Sequence, residues 1–61
     1  MIQLTTKELA VLTEQLSGEQ SLVAKYNRLA NETQDETLRM KFTEIAQRHQ
    51  SHYDTMFAYL R

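Results

Sequence analysis

Two apolar seams, interrupted only once, constrain this chain more than any other feature. Leu9, Leu12, Leu16, Glu19, Val23, Tyr26, Ala30 and Thr33 recur at alternating spacings of three and four residues. Leu38, Phe42, Ile45, His49, His52, Met56 and Tyr59 then do the same. That rhythm places side chains along one stripe of an α-helix and has no counterpart in a strand, whose period is two. The chain has no proline and a single glycine among its 61 residues, so almost nothing in it breaks a helix. A mean hydropathy of -0.58 excludes helices that are apolar all round. The predicted class is all-α.

Start and stop signals divide the pattern into two helices, about 6–32 and about 36–60, with a turn at about 33–35. Thr5 followed by Glu8 is a capping box, and Leu4 with Leu9 is the hydrophobic staple around it. The first seam stops in Asn31-Glu32-Thr33-Gln34-Asp35. Asn tolerates the left-handed conformation that ends many helices, and Asp is a strong N-cap. Thr33 with Glu36 is a competing capping box, which leaves the boundary open by a residue or two.

A short connection between long helices makes them antiparallel neighbours, so the expected unit is a two-helix hairpin. With the turn centred near Gln34, positions equidistant from it lie level. Tyr26 then faces Phe42, Val23 faces Ile45, Ala30 faces Leu38, Leu16 faces His52, and Leu12 faces Met56. Glu19 and His49, each fifteen residues from Gln34, fall at one level. The polar members of both seams away from the turn therefore share one layer with His52, one helical turn beyond His49.

A domain this short rarely stands without a staple. The chain has no cysteine, hence no disulfide and no thiolate zinc site. Association with another copy remains. A lone hairpin would leave Leu22, Leu29, Tyr53 and Phe57 wet. Burying a side chain of that size stabilises by roughly 1.5–3 kcal/mol. Two hairpins related by a twofold axis, the commonest oligomer symmetry, would cover each other as a four-helix bundle. Gly18, on the flank with Val11, Leu22 and Leu29, suits close approach of a partner helix equally as well as a tolerated exposed glycine.

Charge and composition narrow the function. The net charge is -1, from seven basic and eight acidic residues without a basic patch, so nothing points to nucleic acid or an anionic membrane. Met1-Ile2-Gln3-Leu4 is too short for a signal peptide, and no apolar run approaches the roughly 20 residues that span a bilayer. A soluble, unprocessed, cytoplasmic chain is the expectation. No Ser or Cys nucleophile constellation and no glycine-rich phosphate loop occurs, which leaves hydrolases and transferases without machinery. Tyr26, Tyr53 and Tyr59 read as core rings, and Met40 and Met56 as packing.

The polar layer is the single candidate site. Glu19, His49 and His52 form a potential ligand set for Zn or Fe, since imidazole-rich sites suit transition metals over Mg or Ca. A dimer would bring two Glu and four His, enough for one or two ions. A metal-free layer meets the same pattern: a carboxylate in a core must be paired, and a facing imidazole is its natural partner.

Glu19-Gln20-Ser21-Leu22-Val23-Ala24-Lys25-Tyr26, Leu29-Ala30, Asp35-Glu36-Thr37-Leu38-Arg39 and Ile45-Ala46-Gln47-Arg48-His49-Gln50-Ser51-His52 together resemble one helical hairpin of a ferritin-like, rubrerythrin-type protein. The chain is most similar to the small spore coat protein F-like members, from about Leu9 to Leu60. The resemblance implies a homodimeric ferritin-like bundle with a structural or assembly role, other coat proteins as partners, and a place in the spore coat. Metal-binding relatives supply a Glu from the first helix and a Glu-x-x-His pair from the second. Glu19 matches the former and His52 the His of the pair, whereas His49 stands where the family has its second Glu. Loss of that bridging carboxylate argues against oxygen-activating di-iron chemistry and for the structural role, with metal binding as the alternative.

Overall fold

The computed structural model describes residues 3–60, so the reading of Met1 and Ile2 falls outside the described residues. Helix α1 spans Thr6–Glu32 and helix α2 spans Glu36–Phe57. A single 3-10 turn, Ala58–Leu60, ends the described chain. The two helices pack antiparallel as a hairpin with extents of 46 × 17 × 11 Å, and no strand occurs among the described residues. Residues 58–60, expected as a continuation of the second helix, tighten into the 3-10 form that often closes a helix end.

Local chemistry sets the boundaries. Thr5 caps α1: its Oγ1 accepts from the Glu8 N–H at 3.0 Å, while its own N–H donates to Glu8 Oε1 at 2.9 Å. These bonds satisfy two of the donors that a helix start leaves free. At the other end Asn31 stays helical, and no described residue adopts positive φ. The chain leaves α1 instead through Thr33 in an extended conformation (φ -75°, ψ 143°). Asp35 wins the competition for the second N-cap, its Oδ1 accepting from the Leu38 N–H at 3.0 Å. Thr33 becomes a bracing residue, accepting from the Asp35 N–H at 3.1 Å.

Arg39 completes the turn, donating from its guanidinium to the Thr33 carbonyl at 3.0 Å and pairing with Glu36 at 3.5 Å. The last turn of α1 contains no basic residue. Arg39 therefore brings from the second helix the positive charge that a helix C-terminus favours. Glu44 and Arg48 form a surface pair at 3.8 Å, worth a few tenths of a kcal/mol at most.

The core between the helices is thin: among the described residues only Leu16, Ala30 and Ala46 are buried. Its composition revises the second seam. Ala46, absent from the seam, is the most buried described residue at 3% exposure, whereas Leu38, expected opposite Ala30, is 46% exposed. The seam separates into two heptad lines. Phe42, His49 and Met56 are half-buried beside Ala46 and Tyr53; Leu38, His52 and Tyr59 are exposed along the other line, with Ile45 half-buried among them. A small Ala at the contact lets the helix axes come close, and the wider stripe then turns sideways.

Helical spacing puts Val11, Gly18, Leu22 and Leu29 of α1 on that same face. At the open end of the hairpin, Leu4, Val11, Leu12, Met56 and Tyr59 line a shared apolar groove. The opposite flank is polar, with Asn27, Gln47 and Gln50 around Val23 and Ala46. Leu22, Leu29 and Tyr53, expected to be wet in a lone hairpin, are half-buried by their own chain, and Tyr53 stacks on Phe57 at 5.8 Å. Met40, Val11, Tyr59, Leu38 and Leu9 are the more exposed apolar side chains.

Candidate functional site: a carboxylate between two imidazoles

Midway along the hairpin, α1 presents Glu19 to two histidines of α2. His49 Nδ1 lies 2.7 Å from Glu19 Oε1, and His52 Nδ1 lies 2.9 Å from Glu19 Oε2. The level register of Glu19 and His49 is realised directly. His52 was expected level with Leu16; it reaches back one turn to the same carboxylate, because residues three apart share a helix face. All three candidate residues thus meet in one cluster, with one donor atom from each lying within 4.8 Å of the others.

Burial is graded across the cluster. The Glu19 side chain is 12% exposed, His49 22% and His52 52%. Glu19 has left most of its water behind, and a carboxylate in that position must find hydrogen-bond donors. An ionised carboxylate only accepts, so each imidazole donates its Nδ1–H to one oxygen. The geometry satisfies the layer internally, and no described buried polar side-chain atom lacks a partner.

Aromatic rings build the inner wall. Tyr26, one heptad beyond Glu19 on the same seam, stacks on His49 with centroids 6.1 Å apart and planes at 16°. It also contacts Phe42 at 6.1 Å, as the register predicts. His49 and His52 meet edge to face at 5.7 Å. Sequence reasoning assigned Tyr26 to the core without seeing that it orients His49; the signal was its position seven residues after Glu19. Lys25 approaches the same ring, 5.5 Å from its centroid, close enough for a cation–π contact.

The donor set is a carboxylate and two imidazoles, which as a chemical class suits zinc, iron and neighbouring transition metals. The same atoms in their hydrogen-bonded state make a specific polar layer that ties α1 to α2. No protein-family model, no curated protein and no solved structure matches this chain.

Proposed function

We propose that the hairpin is one half of a homodimeric four-helix bundle of the ferritin-like type, acting as a structural or assembly protein similar to the small spore coat protein F-like proteins, with other coat proteins as partners. One observation carries the dimer: the chain keeps an apolar face it does not cover. It exposes 4962 Å² of surface, whereas a compact monomer of 7.2 kDa is expected to expose roughly 4100 Å². That extra surface comes with the elongated shape of a hairpin packed on one side only. What supports the coat-like role is the resemblance of the quoted helical segments and the loss of the bridging carboxylate at His49. Among the described residues no helix is long and apolar enough to cross a membrane, in keeping with a protein of the cytoplasm or the spore coat.

Sedimentation equilibrium at micromolar concentration tests the assembly. The expected mass is about twice the 7.2 kDa of one chain, with a melting temperature that rises with concentration. A well-folded monomer whose melting ignores concentration would overturn the proposal.

The convergence of Glu19, His49 and His52 favours a second reading, a metal-binding protein for zinc or iron. Metal content of untagged protein purified without chelator decides it. A stoichiometric ion supports the reading, and well under one ion per dimer dismisses it in favour of the hydrogen-bonded layer.

A further inference from the structure

The metal-binding reading leaves open how the ligands of a dimer are shared, and the inference here rests on that reading. We infer that Glu19, His49 and His52 of a single chain form a complete three-ligand site for one divalent ion of the zinc–iron class, so that a dimer carries two independent ions and no bridging carboxylate.

Three observations carry this. First, both oxygens of Glu19 are already turned to imidazoles of their own chain, Oε1 to His49 and Oε2 to His52. Both oxygens of the carboxylate are therefore directed at the imidazoles that would share its ion. Second, the donor atoms already converge. Zinc held at about 2.1 Å places tetrahedral neighbours roughly 3.4 Å apart. The Glu–His separations of 2.7 and 2.9 Å lie just below that spacing, and all three donors fall within 4.8 Å. Side-chain rotation is the adjustment that the triangle requires, since the three donors stand within 4.8 Å of one another.

Third, the cluster is closed on one side and open on the other. Glu19 and His49 are largely buried, and Tyr26 stacks on the His49 ring, so the inner ligands are held in orientation. His52 is half exposed on the open face. The fourth coordination position lies on that side and takes water, the arrangement of sites with three protein ligands and one exchangeable position. Ligation through Nδ1 requires that each neutral imidazole carry its proton on Nε2. Binding therefore exchanges the two Nδ1–H donations to Glu19 for metal–nitrogen bonds.

Cobalt(II), a spectroscopic substitute for zinc, tests the inference on the intact chain. Titration followed by visible absorption and native mass spectrometry should saturate at one ion per chain. The affinity should be unchanged across protein concentrations above and below the dimer's dissociation. His52→Ala, at an exposed position, should weaken cobalt binding by about 100-fold or more, the upper end of what losing even an outer-shell group costs. Helicity by circular dichroism confirms that the variant is folded; if it is not, the wild-type stoichiometry still decides. Saturation at one ion per two chains, or affinity that appears only with the dimer, would overturn the single-chain site while sparing the metal reading. Absence of binding by cobalt, zinc and iron(II) alike would overturn both.

Discussion

Glu19 shows how strongly a single side chain can depend on its partners. Removing either member of a largely buried hydrogen-bonded pair leaves the other unsatisfied, while replacing both by apolar groups removes the penalty. We expect Glu19→Leu and His49→Leu each to cost about 2 kcal/mol in urea denaturation. The double variant should recover much of that loss, whereas additive costs would show that the two groups do not couple. His52, more exposed, should matter less to stability than His49. Glu8 offers a pH test at the same scale. The Thr5 backbone N–H first, and the Thr5 side chain second, hold its carboxyl below the ordinary 4.5. A depressed folded-state value means that this contribution is present above 4.5 and is lost as pH falls through the lower folded value. The first turn of α1 should fray in that acid window, visible in the amide exchange of residues 6–9, and Glu8→Gln should abolish the pH dependence.

At the scale of elements, the turn shows how two helices are joined without glycine or proline. Thr33 leaves α1 extended, Asp35 starts α2, and Arg39 reaches back to the Thr33 carbonyl. Asp35→Ala removes a cap and should cost about 1 kcal/mol. Arg39→Ala should cost less, since its ion pair with Glu36 is solvent-exposed and exposed pairs contribute little. Thermal melts of the two variants side by side measure the order, and an Arg39→Ala loss exceeding that of Asp35→Ala would contradict it. The capping box at Thr5 was legible in the sequence because it depends on neighbours three residues apart, and the hairpin topology because the connection between two long helices is short. The choice between Asp35 and Thr33 as second cap was not, since both satisfy the same local rule and only the path of the turn separates them.

For the whole molecule, the open face determines behaviour, and Gly18 is its most informative position. A methyl group added there meets nothing within 4 Å in the single chain. In an isolated hairpin Gly18→Ala should therefore stabilise, by about 1 kcal/mol of helix propensity. If a partner helix crosses closely at Gly18, the same change crowds the interface. We expect sedimentation equilibrium of Gly18→Ala to shift toward monomer while helicity is kept. Stabilisation with unchanged or tighter association would place the interface elsewhere.

The amino-acid sequence by itself determined the helical class, the single break, the antiparallel pairing and the meeting of Glu19 with His49, because all of these follow from period, capping and register. Only the tertiary structure decided that Ala46 lies in the core and Leu38 outside it. It also decided that Tyr26 stacks on His49, and that His52, which the sequence placed in the same layer, bonds the second oxygen of Glu19. Those outcomes depend on how far each helix rotates about its own axis. A three/four seam leaves that angle free within the width of its stripe, until the closest contact, here at a small alanine, selects one rotation for the pair.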